Sequence, residues 1–233
     1  MAIKLLFTAA DPAVPGDGVP YLKNSKEWQA NIAPYKSNDR QPARLRLLQV
    51  DIAVRDARND DVTGWLFGTF VCNGNKPGAT PFDRLAPVGL MWGDSPGFTP
   101  ADLSAGGTPP QQWINTQVGT YQHLGWADRI NGPVDNPASS CMSCHGGGAE
   151  PPLKTPIIPK STLSDQEKLK WFENIEAGVA RDAGSISLDD SLQLAVGLRN
   201  WKSYAQGQGA DLKALAGDDA EELLNRGIEA RDD

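Results

Sequence analysis

Between Arg44 and Arg55 apolar and polar side chains alternate. Leu48, Val50, Ile52 and Val54 fall on one side, and Gln49, Asp51 and Arg55 on the other. A period of two marks a half-buried β-strand. Asn59-Asp60-Asp61 is turn material, and Gly64 to Cys72, rich in aromatic and β-forming residues and ended by Asn73-Gly74, predicts a returning strand. Val88 to Trp92 reads as a short buried strand closed by the breaker Gly93-Asp94-Ser95-Pro96-Gly97. Near the start, Ile3, Leu5, Leu6 and Phe7 are interrupted by Lys4 and ended by Asp11-Pro12. That is too short for the apolar core of a signal peptide and predicts a first strand. The expectation is an antiparallel sheet of at least four strands.

The period then changes. Pro96 to Pro110 is loop-like, Gln111 to Gly125 follows neither repeat, and Asn131 to Pro159 is dense in Pro, Gly and Ser. In the last third the spacing becomes helical. Ser164-Asp165-Gln166-Glu167 is a capping box that opens a helix through Leu169, Phe172 and Ile175, predicted to stop at Gly178. Ser187-Leu188-Asp189-Asp190 predicts the cap of a second, with Leu188, Leu192, Ala195 and Val196 on one stripe and Leu194, Leu198 and Trp201 on the next. A third is expected over 218–231. The fold class predicted is α+β: a β-rich antiparallel N-terminal half, then a loop-rich segment, then a helical C-terminal third. The organisation expected is a β-rich region over 1–110 and a second region over 111–233, which can form one integrated domain.

Composition narrows the function. With 233 residues, 39% of them apolar, and seven Trp, the chain can bury a sizeable core. The net charge of −7 argues against nucleic acid as a partner, since phosphate binding needs clustered Lys and Arg, and it suits a basic protein partner. No apolar run approaches the length of a membrane span. There is no Ser-His-Asp pattern, phosphate loop or paired-carboxylate signature to act on.

The chemistry concentrates in Cys141-Met142-Ser143-Cys144-His145. C-x-x-C-H is the pattern that attaches a c-type haem: two thiols add to the porphyrin vinyl groups, and the imidazole directly after the second Cys reaches the iron. Two other readings compete. A redox dithiol usually sits at a strand-to-helix junction, whereas Asn131 to Pro137 reads as turns. A zinc-stabilised binding module would need four ligands, here Cys72, Cys141, Cys144 and one His, with no second C-x-x-C knuckle. The immediate Cys-His junction favours one covalent haem c, with Cys141 and Cys144 as anchors and His145 as proximal ligand. His123, the other histidine, is the leading candidate for the sixth iron position. No Met follows Met142, and Met91 and Cys72 read better as core residues. Trp92, Trp113 and Trp126 are candidates to pack on the macrocycle. Asp128, Arg129 and Asp135 are candidates to bond its propionates or His123, with core filling and solvated loops as the alternatives.

Through Cys141, Cys144 and His145, and the lead-in from Asn131 to Ser140, the chain resembles bacterial monohaem c-type cytochromes of uncharacterised role. The resemblance implies covalent haem, single-electron transfer with a redox partner protein, and a periplasmic or otherwise exported location. It does not extend to the small all-helical cytochrome fold, because a β-rich half precedes the motif and no downstream Met exists. In outline the chain is also similar to cytochromes P460, in which a β-rich domain carries C-x-x-C-H late in the chain. That likeness implies a haem enzyme or gas-binding protein with an open distal site.

Overall fold

The structure, a computed structural model, describes residues 1–33, 39–118, 124–151 and 156–208. The helix expected over 218–231 and His123 both lie outside the described residues.

The architecture is α+β. The predicted strand at the centre is longer than its alternating stretch: β3 (Gln41–Arg55) has 15 residues and organises a six-stranded antiparallel sheet. Along one edge of β3 lies β1 (Ala2–Thr8), while β2 (Glu27–Ile32) pairs with residues 41–46 on the opposite edge, so that Arg46 stands between Thr8 and Glu27. Along the other edge the order runs through β4 (Trp65–Cys72), β5 (Leu85–Met91) and β6 (Gln112–Ile114). β2 and β6 are additions to the predicted set. Glu27–Ile32 alternates, with Trp28, Ala30 and Ile32 on one side, yet all six residues stay exposed or half-buried, and β6 is only three residues long, within the stretch that followed neither repeat.

The sheet is covered on both faces along its middle. Arg46, Leu47, Leu48, Gln49 and Val50 are all buried. On one face Leu22, Leu48 and Cys72 form a cluster with Tyr21 and Leu85, which places Cys72 as a buried small apolar residue. On the other face Phe67, Met91, Ile130 and Met142 pack with Ala53, Trp65 and Cys141. Met91, 1% exposed, is therefore a core residue. Because side chains alternate along β4, Cys72 and Phe67 point to opposite faces, so the third thiol lies across the sheet from the C-x-x-C pair.

The helices are short, apart from the last. α1 (Pro100–Ser104) follows the Thr99 capping box, and α2 (Cys141–His145) is the C-x-x-C-H motif itself. α3 (Asp165–Lys168) starts at the predicted Ser164–Glu167 capping box but passes into a 3-10 turn at Leu169–Trp171 and ends at Phe172, short of Gly178. Trp171 and Phe172 are both buried, and Phe172 leaves helical geometry, with φ of −106° and ψ of 51°. A two-residue ladder pairs β7 (Ala149–Glu150) with β8 (Ile186–Ser187). The second predicted helix, α4 (Leu192–Gln208), begins later than expected. Ser191, not Ser187, meets its first turn, accepting from the Leu194 N–H at 3.1 Å. Ser187 is used in the ladder with Ala149, and Asp189-Asp190 forms a turn instead. Among the described residues no helix is long and apolar enough to cross a membrane.

Candidate functional site

The motif helix α2 is held at both ends. Ser140 accepts from the Ser143 N–H at 2.9 Å, and Ser143 Oγ accepts from the Ser140 N–H at 2.8 Å, a reciprocal cap. Arg181 Nη2 donates to the Ser143 carbonyl at 2.9 Å. In one turn of helix, positions i, i+3 and i+4 share a face. Cys141, Cys144 and His145 accordingly remain partly open, while Met142 and Ser143 are buried. The two thiols and the imidazole thus form one surface.

The imidazole is oriented by a remote turn. His145 Nδ1 lies 2.8 Å from the carbonyl oxygen of Asp190. A carbonyl only accepts, so this bond requires the proton on Nδ1 and leaves the lone pair on Nε2, the tautomer a metal ligand needs. Burial lowers the His145 pKa from its ordinary 6.5, which keeps the ring neutral at pH 7. The Asp189-Asp190 turn has φ of 53° and 59° at two successive non-glycine residues, a strained arrangement of the kind that gathers at functional sites. It approaches the motif closely: a Cβ at Gly148 would lie 3.0 Å from the Ser191 nitrogen.

A cavity of about 370 Å³, within the size range of cofactor and ligand sites, opens beside His145. Its floor is the sheet: Ala2 and Ala53, opposite each other in register, then Trp65 and Phe67. Its far wall is Asp189, Asp190, Ser191 and Gln193. The Phe67 ring lies 4.7 Å from the His145 ring, tilted by 40°. Lys4 and Asp51 close one end, their charged atoms 2.8 Å apart. Asp51 also accepts from Gln49 at 2.6 Å and from Thr69 at 2.6 Å, and Gln49 reaches Asp135 at 3.0 Å, tying the lead-in loop to the sheet.

The thiols are not activated. Burial first, then the Asp51 and Asp135 carboxylates, push Cys141 well above the ordinary value of 9.0, and Cys144 is raised by burial and then by Asp135. Redox dithiols need the opposite shift, so this environment speaks against a thiol-exchange role. Among the described residues no group of three or more His, Cys, Asp or Glu side chains is arranged to hold a metal ion.

Behind the motif lies a polar core that the sequence pattern did not reveal. Arg129, fully buried, donates to the carbonyls of Asp94 at 2.7 Å, Ser95 at 3.1 Å and Phe98 at 2.8 Å. Its guanidinium sits 4.4 Å from the Phe172 ring and 5.0 Å from Trp126. Arg129 is therefore a structural anchor rather than a propionate partner, and Trp126 serves that anchor by stacking on Phe172 at 4.7 Å. Trp113 is 48% exposed on β6, and neither it nor Trp92 lines the cavity. Asp94, 1% exposed, accepts a hydrogen bond from the motif's N-cap, Ser140.

Burial pushes Asp94 from 3.8 up to about 7, against the downward pull of Ser140, Arg129 and Arg181. Between those values the folded protein holds a proton that the unfolded chain has released. The stabilisation is full below pH 3.8 and is lost as pH rises through about 7. Asp190, also raised to about 7 by burial, titrates in the same window. Urea midpoints across pH 4–8 should therefore fall with rising pH, by up to about 1 kcal/mol per unit for each group. Asp94→Asn should flatten the fall, and parallel profiles for the two proteins would refute the assignment.

Of the residues singled out from sequence, Cys141, Cys144 and His145 come together on one surface, and Cys72 does not join them. Lys4, Asp51, Trp65, Phe67, Asp189 and Asp190, which surround His145, were missed. Comparison of the chain with known protein families, with curated proteins and with solved structures finds no match.

Proposed function

We propose that this chain is a covalent haem c protein that passes single electrons, with Cys141 and Cys144 as the thioether anchors and His145 as the proximal ligand. One observation carries the reading. The two thiols and a neutral imidazole whose Nε2 retains its lone pair share one face of a doubly braced helix turn, beside a cavity with largely apolar walls. The donor set suits the group in two respects: an imidazole fixed in the ligand tautomer, and small Ala2 and Ala53 leaving room on the floor. When bound, haem supplies an iron centre that changes oxidation state by one electron.

The chain's own residues have definable tasks in this reading. Asp190 holds the proton on Nδ1 and so makes the imidazole a stronger donor. Trp65 and Phe67 limit water at the cavity floor. Lys4, ion-paired with Asp51, closes one end of the cavity. His123 is proposed for the sixth iron position. The proposal includes an exported location and a redox partner with a basic face, matched to the net charge of −7.

The test is the optical spectrum of protein expressed in a host competent for haem attachment. A Soret band with a sharp low-spin α band that ignores CO is expected. In His123→Ala the reduced iron should turn high-spin and bind CO; a variant that stays low-spin would remove His123 from the iron. A wild-type spectrum that responds to CO would instead favour an open-site gas-binding or enzymatic role. No Soret band at all would overturn haem binding and return zinc analysis to the fore.

A further inference from the structure

The turn that orients His145 is itself tied to the sheet by one side-chain bond. Trp65 Nε1 donates to Asp189 Oδ1 at 3.0 Å, joining residues 124 positions apart. Trp65 stands on β4, paired with Arg55 of β3, so its ring is carried by the most extensively bonded part of the fold. On its other side the turn is tied to the segment just after the motif: the Leu188 N–H donates to the Gly148 carbonyl at 2.9 Å, and β8 pairs with β7. These last contacts fix where the chain enters the turn. Inside the turn the Ser191 N–H donates to the Leu188 carbonyl at 3.1 Å, which orients the Asp190 peptide while Asp189 and Asp190 hold φ of 53° and 59°. Aspartate enters that region with less strain than most residues, so the internal bond sets the shape of the turn and the Trp65 bond sets its place against the sheet.

We propose that Trp65 and Asp189 act together as a positioning latch that keeps the Asp190 carbonyl on His145 Nδ1, and thereby selects the ligand tautomer of the imidazole and lowers the potential of the metal centre it serves. Neither residue touches the reacting atoms; both act through the turn. As a statement about potential the latch rests on the haem reading above. As a statement about the imidazole it stands on the geometry of this chain alone.

Two substitutions separate the latch from general packing and from charge. Trp65→Phe keeps an aromatic ring and removes the donor. Asp189→Gly removes the acceptor at a position where glycine tolerates the positive φ. Asp189→Asn removes the charge but keeps an acceptor oxygen, and serves as the rescue control. In haem-free protein, ring ¹⁵N shifts report the tautomer, and His123→Gln assigns the two histidines. His145 should read as the Nδ1–H form in wild type and Asp189→Asn, and as a mixture of tautomers in Trp65→Phe and Asp189→Gly. In haem-loaded protein the same two variants should show a positive shift in midpoint potential, with Asp189→Asn close to wild type.

Haem-loaded protein whose potential is unmoved by Trp65→Phe and Asp189→Gly overturns the latch and leaves the haem reading standing. Haem-free protein that shows the tautomer change upholds the latch even where the haem reading has failed. An Asp189→Asn shift equal to that of Asp189→Gly would reduce the effect to charge and refute the latch.

Discussion

Arg129→Leu is expected to destabilise the protein by about 3–5 kcal/mol, measured by urea unfolding, the range for breaking a buried ionic network by removing one partner. The side chain is fully buried and bridges three carbonyls of the 94–98 segment. Leucine fills part of the volume but leaves those oxygens without their donor, each at a desolvation cost of about 1–3 kcal/mol. It also removes the cation from the stack between Trp126 and Phe172. Arg129→Lys should rescue little, because an ammonium cannot reproduce a planar fork reaching three acceptors. Burial already lowers the Arg129 pKa to about 10, evidence that the guanidinium is desolvated and that its bonds carry the compensation. A loss below about 1 kcal/mol, the level of an ordinary surface change, would contradict this account.

Replacing both motif cysteines, Cys141→Ala with Cys144→Ala, is expected to abolish covalent haem attachment completely while leaving the fold close to intact. The fold should tolerate the change because α2 is set by Ser140, Ser143 and Arg181 rather than by the thiols. His145 keeps its Asp190 bond in the variant, so haem can still associate reversibly. The check is extraction with acidified acetone together with intact mass. Wild type should keep its colour in the protein and carry the haem increment; the double variant should release colour into the solvent and show the apoprotein mass. Colour retained by the double variant, or released by wild type, would defeat the assignment of the anchors.

Alternation and breakers made most of the sheet legible: β1, β3, β4 and β5 lie where period two and the turn residues put them. β2 alternates through Trp28, Ala30 and Ile32 but buries none of its residues fully, and β6 was hidden because three paired residues are too few to show a repeat. The polar side of β3 was legible as polar but not as buried. Gln49 is fully buried and bonded to the loop carrying Val134 and Asp135, and Thr69, 1% exposed, donates to Asp51 of the next strand, tertiary facts that no local pattern encodes. In the candidate site, C-x-x-C-H was visible because its chemistry depends on adjacent residues. Its surroundings were not, because Lys4, Trp65 and Asp190 come from three distant parts of the chain. The α4 cap was misplaced because Ser187 and Ser191 offer the same side chain, and only pairing with Ala149 decides which is left to cap.

The bond from His145 to Asp190 spans 45 residues. During synthesis the motif is therefore made well before the turn that braces its imidazole. Until residues 186–193 arrive, the imidazole lacks the acceptor for its Nδ1 proton, whereas the residues that pack against Cys141 are already made. The young motif therefore presents a ring free to take either tautomer, and the ligand form is selected only when the final helix is laid down.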